Sequence, residues 1–491
     1  MNKQKIHFIG IGGIGTSALA RWFLAQGYEV SGSDVAISEI ISDLKSQGVK
    51  IFVGHRSENL SKMANLAIFS AAVPLSNPEI KRAKELGISV KSYAEALGDL
   101  TKQYKTIAVA GAHGKSTTTA LLSLVLIKSG FDPTVIIGTK LKEFNSDGRF
   151  RVSQTQGASE RFSGANFRNG KSNWLVMEAD EYHKSFLNYS PFAAIITNID
   201  REHLDYYKNL AEIKNVFLKF VKNIKPGGFL IVNKNDKNLF SLKNKIEKIA
   251  KKNNLKVIWY GIENSRHSHV FIDLHRVLKI PGEHNISNAL GVYHLAKALK
   301  IKDKDIFSAF GSYHGAWRRM EFRGYLNLKP KTQNLKPAIY DDYAHHPTEI
   351  KATLSGFRQK YPKSKIICVF QPHQEKRLKA LFKEFVSAFN DADNLILLDV
   401  FKVKGRDQDA EQRGTNADKR GKIISSEKLA EAIKKRKHSP AVLYLKNPKS
   451  LKKEIENILL CPKPYALNPI VIMMGAGDIY HHTKRLLTPS A

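Results

Sequence analysis

The sequence predicts an α/β protein whose three domains are built on mostly parallel sheets. Apolar runs of strand length alternate with helical patterns along all 491 residues, which is typical of strand–helix–strand units. A glycine-rich turn follows the first strand, another follows the strand at Thr106–Ala110, and a third α/β block begins after Arg319. We therefore predict domains at residues 1–100, 101–320 and 321–491.

The strands and loops behind this prediction follow from apolar patterning and turn residues. The predicted strands are Ile6–Ile9, Thr106–Ala110, Trp174–Met177, Ala193–Thr197, Phe229–Val232, Val257–Tyr260, Ile366–Phe370, Leu395–Val400 and Ile470–Met474. Two polar stretches without an apolar period, Asn145–Lys171 and Lys402–Lys422, are predicted to be loops.

The composition indicates an ordinary globular chain. Hydrophobic residues make up 42% and charged residues 25%, and no apolar run approaches the roughly 18 residues that span a bilayer. The first residues lead directly into a strand without the apolar core of a signal peptide. Cys368 lies in an apolar run, so we expect a buried thiol and no disulfide framework. These features predict a cytoplasmic protein without membrane insertion.

The net charge of +33 raises the question of a polyanionic partner. The lysines are spread along the whole chain, and no basic-aromatic pattern or nucleic-acid module is present. We therefore interpret the charge as a lysine-rich solvated surface and expect no specific nucleic-acid partner.

The first motif, Gly10–Gly15, follows a strand, precedes a helical run at Ser17–Gln26 and satisfies G-x-G-x-x-G. Its glycines allow a tight turn whose N–H groups face a diphosphate, and Asp34 lies where an acidic residue meets a ribose. The motif indicates a dinucleotide or a nucleotide-sugar diphosphate and does not distinguish them.

The second motif, Gly111–Thr119, is a P-loop between a strand and a helix, although Val109 occupies the first glycine position of the usual pattern. In a P-loop, backbone N–H groups hold phosphates, Lys115 neutralises them and Ser116 ligates magnesium. The predicted ATP contacts here are Gly111, Ala112, His113, Gly114, Lys115, Ser116 and Thr117.

Polar clusters follow several later strands. Glu178–Glu181 and Thr197–Asp205, which contains His203, are placed to serve magnesium or phosphates, although an acidic turn or a single histidine is more often structural. Asn285 and Asn288 share a helix face that could contact an adenine edge, and one of them could equally be an N-cap. The third block carries further clusters that together indicate a substrate pocket: Trp317–Glu321, Tyr340–Glu349, Phe370–His373 with Arg377, and Gly475–Tyr480.

Together these motifs resemble the Mur ligase family, in the family's order and over nearly the whole chain. The resemblance rests on the following segments: Gly10–Gly15, Ser31–Asp34, Ser70–Val73, Glu178–Glu181, Asp341–Glu349, Phe370–His373 and Gly475–Asp478. The family's short P-loop explains the absent first glycine. The resemblance implies a Rossmann-like UDP-binding domain, a central P-loop ATPase domain and a C-terminal Rossmann-like domain for the amino acid.

The resemblance also implies roles for single residues. Lys115, Glu178, His203 and Arg319 would be catalytic, and Ser116, Glu178 and His203 would hold two magnesium ions. Asn285, Asn288, Arg319 and Asp342 would join the P-loop around ATP. The UDP-sugar would contact Gly12, Gly13, Ile14, Gly15, Ser33, Asp34, Ser70, Ala71 and Arg168. The amino acid would contact Tyr343, His345, His373 and Arg377.

The implied activity is ATP-dependent joining of L-alanine to the carboxylate of UDP-N-acetylmuramate through an acyl phosphate, in peptidoglycan precursor synthesis. The region Val216–Leu218 lacks the modified lysine of sister ligases, which fits the alanine-adding branch. Asn166 and Gln374 depart from the family pattern and put fine substrate contacts in question. A monomer and a homodimer are both compatible with the sequence.

Three other functions stay open at this point. A recycling ligase would attach a preformed tripeptide to the same sugar nucleotide, and Ala344 is closer to that branch. A nicotinamide dehydrogenase would use Gly10–Gly15 but would not explain Lys115. A nucleic-acid-dependent ATPase would use the charge but would not explain the first or third block.

Overall fold

The computed structural model describes residues 3–144, 165–263, 265–328, 336–402, 424–460 and 467–487. By contacts they form two compact units, the first made of Met1–Arg201, Asn209–Lys279 and Ile286–Trp317. The second unit is made of Glu202–Lys208, Ile280–Asn285 and Arg318–Ala491. The described strands form three sheets, two in the first unit and one in the second.

The first sheet is fully parallel, with strands in the order β3-β2-β1-β4-β5. Its strands are β1 (Lys5–Ile9), β2 (Glu29–Asp34), β3 (Lys50–Val53), β4 (Leu66–Phe69) and β5 (Ser89–Ser92). Its helices are α1 (Ile14–Ala25), α2 (Glu39–Ser46), α3 (Pro78–Glu85) and α4 (Tyr93–Gln103). Local sequence fixes where three of these helices begin. Ser38 and Asn77 are the N-caps of α2 and α3, and Ser92 forms a capping box with Glu95 at the start of α4.

The second sheet has the order β12-β11-β10-β6-β9-β7-β8 and is parallel except for the pair of β7 and β8. Its strands are β6 (Lys105–Ala110), β7 (Thr134–Leu141), β8 (Ala165–Arg168), β9 (Trp174–Ala179), β10 (Ala193–Ile196), β11 (Phe229–Asn233) and β12 (Lys256–Tyr260). The helices of this region are α5 (Lys115–Lys128), α6 (Leu210–Lys222), α7 (Lys237–Phe240), α8 (Lys243–Lys252), α9 (His269–Val277), α10 (Glu283–Ala298) and α11 (Asp303–Ser312). Helix α5 is buried along most of its length, which is why it is apolar on every face after its first turn.

The third sheet has the order β13-β14-β18-β15-β16-β17, and only the edge strand β13 runs antiparallel to its neighbour. Its strands are β13 (Glu321–Tyr325), β14 (Ala338–Asp342), β15 (Ser364–Phe370), β16 (Asn394–Leu397), β17 (Ala441–Tyr444) and β18 (Leu467–Met474). The helices are α12 (Pro347–Lys360), α13 (Glu375–Ala380), α14 (Phe382–Val386), α15 (Ser426–Lys434), α16 (Leu451–Leu460) and α17 (Ile479–Leu487). Two apolar clusters pack against this sheet, and alternate residues of β15 belong to one or the other.

The predicted α/β class with mostly parallel sheets is confirmed. The prediction of a loop across Asn145–Lys171 is wrong at Ala165–Arg168, which pairs with β7 as an edge strand. A four-residue strand between polar neighbours has too little apolar pattern to be recognised from sequence. The strand predicted at Leu395–Val400 ends at Leu397, and most of the loop predicted at Lys402–Lys422 lies outside the described residues.

The predicted domain limits compare with the two units as follows. Residue 100 lies inside α4. The sheet that precedes this helix in the chain and the sheet that follows it belong to one compact unit. The main segment of the second unit begins at Arg318, close to the limit predicted at residue 320. The three-domain division stays a prediction. Cys368 is fully buried, as expected, and none of the helices described is long and apolar enough to cross a bilayer.

Candidate functional site

The glycine turn after β1 lies between the ends of two neighbouring strands. Ile9 at the end of β1 is paired with Ser33 of β2 and with Phe69 of β4. The N–H groups of Gly10 and Ile11 donate to the Ser33 carbonyl at 2.9 and 3.1 Å. Since all these strands are parallel, Asp34 and Ser70 begin their loops at the same sheet edge as the turn.

The Asp34 carboxylate is committed to the backbone around that turn. One oxygen accepts the Gly12 N–H at 2.8 Å and the other accepts the Val35 N–H at 2.7 Å. A Cβ atom on Gly12 would lie 2.9 Å from Oδ2 of Asp34, the oxygen that accepts the Gly12 N–H, so a glycine is required for this close approach. Asp34 therefore shapes the turn, and its contact with a ribose stays a prediction.

Beneath the turn lies a buried polar network centred on Glu79, the second residue of α3. The Ser33 hydroxyl donates to Glu79 at 2.7 Å, and Nε2 of His7 lies 2.8 Å from the same carboxylate. Nδ1 of His55 lies 3.2 Å from its other oxygen, which also accepts from Asn59 at 3.0 Å. Burial alone would raise the pKa of Glu79, but these hydrogen bonds hold it below its ordinary value.

Sequence reasoning missed Glu79, because an acidic residue in a first helical turn is usually a solvated partner of the helix dipole. The network also turns the Ser33 hydroxyl into the interior, where it is fully buried. The direct contact expected between Ser33 and a sugar nucleotide stays a prediction.

The predicted muramyl contact Arg168 is buried in the second sheet of the same unit. Its guanidinium donates to the Pro133 carbonyl at 2.7 Å and pairs with Asp132. Two residues earlier, the Asn166 amide accepts from Arg21 of α1 at 2.7 Å and donates to the Ser17 hydroxyl at 2.9 Å. Asn166 thus joins β8 to α1, whereas Arg168 is engaged within its own sheet.

The P-loop lies where strand order reverses around β6. Ala110, the last residue of β6, is paired with Ala179 of β9 and with Ile196 of β10. The segments that follow these three strands therefore meet at one edge of the sheet, which is the usual ligand position in α/β folds.

Two P-loop glycines are required by their surroundings. Gly111 has φ +135°, and a Cβ there would lie 2.1 Å from the Thr197 hydroxyl. Gly114 has φ +82°, and a Cβ there would lie 2.6 Å from Oδ1 of Asn288. Asn288 therefore lies beside the P-loop. This position is compatible with the predicted contact between Asn288 and the adenine of ATP.

Asn285 makes different contacts from Asn288. Its amide donates to the Pro281 carbonyl at 2.6 Å, and its side chain is buried. Helix α10 begins at Glu283, two residues before Asn285, so the alternative that either asparagine is the N-cap is wrong. The adenine contact of both residues stays a prediction.

Lys115, the first residue of α5, is folded back over its own loop. Its Nζ atom lies 2.6 Å from the Gly111 carbonyl and 3.0 Å from Oε2 of Glu181. Burial would lower the pKa of Lys115, but Glu181, Asp180 and Glu178 outweigh it and raise that pKa. The ammonium is thus held charged at the phosphate-binding position.

The other P-loop side chains are tied to the segment after β10. The His113 N–H donates to Oδ1 of Asn198 at 2.8 Å, and its Nε2 lies 3.0 Å from Oδ2 of Asp200. Ala112 donates to the Asn198 carbonyl at 3.2 Å. Ser116 and Thr117 are buried in the first turn of α5. These contacts fix the conformation of the loop, and its binding of a polyphosphate stays a prediction.

The carboxylates of Glu178, near the end of β9, and of Asp180 and Glu181, just after it, are the oxygen ligands that a divalent cation prefers. All three raise the pKa of Lys115, as negative charges near its ammonium do. An oxygen of Glu178 accepts the Gly138 N–H at 2.7 Å, so the direction of its carboxylate is fixed. His203 adopts a left-handed backbone with φ +56° and begins no regular element. The magnesium roles of Ser116, Glu178 and His203 stay predictions.

In the second unit, polar segments gather after three adjacent strands. Met474 at the end of β18 is paired with Asp342 of β14 and with Phe370 of β15. The Asp342 carboxylate accepts the N–H groups of Met320 and Ala344 at 2.8 and 2.9 Å. Asp342 thus anchors the local backbone, and its contact with ATP stays a prediction.

Tyr343 lies against two consecutive arginines. The guanidinium carbons of Arg318 and Arg319 lie 5.0 and 4.8 Å from its ring centroid, within cation–π range. Arg318 is buried, has φ +55° and donates to the Gly477 carbonyl at 3.0 Å. Sequence analysis assigned a role to Arg319 and missed Arg318, whose contacts hold this segment in place.

The four residues predicted to contact the amino acid form one half-buried cluster. Arg377 donates to the His373 carbonyl at 3.1 Å and to Oε2 of Glu202 at 3.1 Å. The rings of His345 and His373 lie 6.0 Å apart, edge to face. Burial lowers the pKa of His345 to about 4 despite nearby Glu349, so this imidazole is neutral near pH 7.

Glu202 completes the cluster and was missed as a functional residue. Burial would raise its pKa, but Arg377 and His345 hold it well below the usual range. Its position beside a histidine in the sequence gave no sign of a partner 175 residues away.

These arrangements define an α/β protein with a P-loop, a second glycine turn after a parallel strand, and a cluster of histidines with Arg377 and Glu202. Three family profiles match consecutive parts of the chain: the Mur ligase catalytic domain at residues 5–105, the Mur ligase middle domain at 109–296, and the Mur ligase glutamate ligase domain at 318–456. The chain belongs to the Mur ligase family.

Curated relatives match over almost the whole length. A UDP-N-acetylmuramate–L-alanine ligase of Clostridium kluyveri is 37% identical, with 98% of this chain and 97% of that protein covered. The enzyme of the same name from Clostridium botulinum strain Langeland is 38% identical, with 97% and 96% covered.

Two solved structures share the fold. The crystal structure of UDP-N-acetylmuramate-alanine ligase from Thermotoga maritima matches with TM-score 0.72 and 24% identity over 98% of both chains. A murein peptide ligase from Psychrobacter arcticus matches with TM-score 0.66 and 22% identity over 99% of this chain and 98% of that one.

Proposed function

We propose that this protein joins L-alanine to the carboxylate of UDP-N-acetylmuramate, coupled to cleavage of ATP to ADP and phosphate. The observation that carries the proposal is the full-length identity of 37–38% to ligases of that name. The fold and the three strand-end clusters are consistent with the three ligands that such a reaction needs.

The first half of the proposed reaction activates the lactyl carboxylate. Its oxygen attacks the γ-phosphorus of ATP, ADP leaves, and an acyl phosphate forms. Two anions must meet, so positive charge is required at that point. Lys115 supplies it by exchanging its contact with Glu181 for phosphate oxygens, and Arg319 is the second proposed source.

Magnesium would be held by Ser116 and Glu178, with His203 proposed for a second ion. When bound, the metal neutralises phosphate charge and polarises the transferred group. The negative field that raises the pKa of Lys115 supports a cation at this edge.

In the second half, the neutral amine of L-alanine attacks the acyl carbon and phosphate leaves. Arg377 is proposed to hold the amino-acid carboxylate, with Tyr343, His345 and His373 around it. The Arg377 side chain is only 10% exposed and pairs with Glu202 at 3.1 Å, which supports a site residue over a solvated helix residue.

The tripeptide-attaching alternative has less support. The murein peptide ligase shares the fold at 22% identity. Both curated relatives described above, at 37–38% identity, have the name of the L-alanine ligase. We also propose a cytoplasmic location, no specific nucleic-acid partner, and a monomer or homodimer.

One experiment tests the function. Phosphate release from ATP is measured with UDP-N-acetylmuramate in the presence of L-alanine, of the tripeptide L-alanyl-γ-D-glutamyl-meso-diaminopimelate, or of neither. We expect sustained release only with L-alanine. Release that depends on the tripeptide would replace the proposal with the recycling activity, and release stimulated by RNA would revive the nucleic-acid alternative.

A further inference from the structure

Glu202 has one carboxylate oxygen in use and one without a hydrogen-bond partner. Its Oε2 accepts from Arg377 at 3.1 Å and from the His203 N–H at 3.2 Å. Its Oε1 is buried and accepts no hydrogen bond from any residue in the part of the chain that the structure describes. Nε2 of His345, whose imidazole is neutral near pH 7, lies 3.8 Å from that oxygen.

An unsatisfied buried carboxylate oxygen is costly, by about 1–3 kcal/mol or more for a charged group. Such an atom in a native structure calls for a missing donor. His345 does not fill this need, since 3.8 Å exceeds a hydrogen bond and its Nδ1 lies 3.0 Å from the Tyr343 carbonyl. Among the described residues this oxygen therefore lacks a donor, which an ammonium group of the substrate would supply.

The pair of Glu202 and Arg377 has the charge pattern of an α-amino-acid site. A zwitterionic amino acid carries an ammonium and a carboxylate on one carbon, so its complement is an acceptor oxygen beside a guanidinium. Arg377 and Glu202 are directly hydrogen-bonded, and both side chains are at least nine-tenths buried, at 10% and 6% exposure. A hydrogen-bonded pair with little exposed surface is preorganised for such a ligand.

We propose that Oε1 of Glu202 binds the α-ammonium group of the amino-acid substrate, while Arg377 binds its carboxylate. This inference rests on the proposed function and adds to it a residue that sets substrate class. Glu202 requires an amine on the α-carbon and disfavours simple carboxylates, whose binding would leave Oε1 buried and unsatisfied.

The competing explanation is that Glu202 only orients Arg377. The two explanations differ for propionate, which is L-alanine without its amino group. A residue that binds the ammonium affects L-alanine alone, whereas a residue that orients Arg377 affects both ligands equally.

The test compares the wild-type protein with Glu202→Gln, which keeps the size and an acceptor for Arg377. The KM for L-alanine and the competitive inhibition constant of propionate are measured by phosphate release. We expect the KM for L-alanine to rise about 10–100-fold, the loss of one charged hydrogen bond. The inhibition constant of propionate and the KM values for ATP and UDP-N-acetylmuramate should remain nearly unchanged. Glu427→Gln, an exposed carboxylate on α15, is the matched control.

Each other result overturns the inference. A parallel rise in both constants makes Glu202 a positioning residue for Arg377, and an unchanged KM removes it from the site. If Glu202→Gln fails to fold, the wild type decides: propionate inhibiting as tightly as L-alanine binds contradicts an ammonium site. Absence of turnover with L-alanine in the wild type overturns both the proposed function and this inference. Normal turnover in the wild type together with one of the results above overturns this inference alone.

Discussion

The Nζ atom of Lys115 lies 3.0 Å from Oε2 of Glu181, and both side chains are mostly buried. The P-loop cation is thus already neutralised by a carboxylate of the neighbouring strand end. A bound polyphosphate must replace Glu181 as its partner, which favours ligands whose phosphates offer more negative charge.

Lys115→Ala is expected to reduce ligation by at least about 100-fold, as when one donor to a developing charge is removed. Binding of UDP-N-acetylmuramate should persist, because the glycine turn after β1 belongs to a different sheet from the P-loop. Calorimetry with the sugar nucleotide alone measures this. Lys128→Ala, at the other end of α5, is the control. Loss of sugar-nucleotide binding in folded Lys115→Ala protein would refute the assignment of two separate nucleotide sites.

Arg377→Lys should raise the KM for L-alanine by about 10-fold or more, because an ammonium cannot reproduce the planar fork of a guanidinium. The same fork contacts Glu202 and the His373 carbonyl, so shortening it also loosens the pocket. KM values for ATP and UDP-N-acetylmuramate should move little. Steady-state kinetics decide, with exposed Lys379→Ala on α13 as the control. An unchanged KM for L-alanine would remove Arg377 from the site.

Glu79→Ala should lower the free energy of unfolding by about 3–5 kcal/mol, the usual result of deleting one partner from a buried charged network. His7, His55 and Ser33 would each lose their shared acceptor. Chemical denaturation measures the change, and Glu85→Ala at the exposed end of α3 should have almost no effect. Equal stability of the two variants would show that Glu79 is not the centre of this network.

Stability is expected to fall as pH decreases from 6.5 to about 4, in part because of His284. Burial lowers the pKa of His284 from its ordinary 6.5 to about 4, so the unfolded chain binds more protons within this window. The contribution is fully present above pH 6.5 and is lost as pH falls toward 4. His284→Gln, which does not titrate, should show a shallower decline in urea unfolding than wild type. Exposed His267→Gln is the control, and an equally steep decline in both variants would contradict this role.

Local sequence was sufficient for the nine strands predicted above, the glycine turns and the P-loop. Gly111 and Gly114 were recognisable because the P-loop needs a backbone conformation at these two positions that glycine adopts readily, and the motif lies within a few residues of sequence. The strand ends also predicted which polar segments gather, because parallel strands place their carboxyl ends at one edge. The pairings of Ala110 with Ala179 and Ile196 confirm that reasoning.

Sequence reasoning did not reveal which side chains have distant partners. Ser33 and Arg168 were named from the family resemblance; the Ser33 hydroxyl donates to Glu79 and the Arg168 guanidinium pairs with Asp132, while their contacts with a sugar nucleotide stay predictions. Ala165–Arg168 was missed as a strand because an edge strand of four residues gains its stability from its neighbour.

By itself, then, the sequence determined the α/β class, the order of its nucleotide-binding turns and the residues from which a site could be built, since backbone conformation and apolar period are encoded locally. Only the tertiary structure decided which of those residues carry charge together. Glu202 is hydrogen-bonded to Arg377, 175 residues further along the chain, and Lys115 to Glu181, 66 residues away. Burial excludes water from such pairs and makes each partner's electrostatics depend on the other, a property that no stretch of sequence contains by itself.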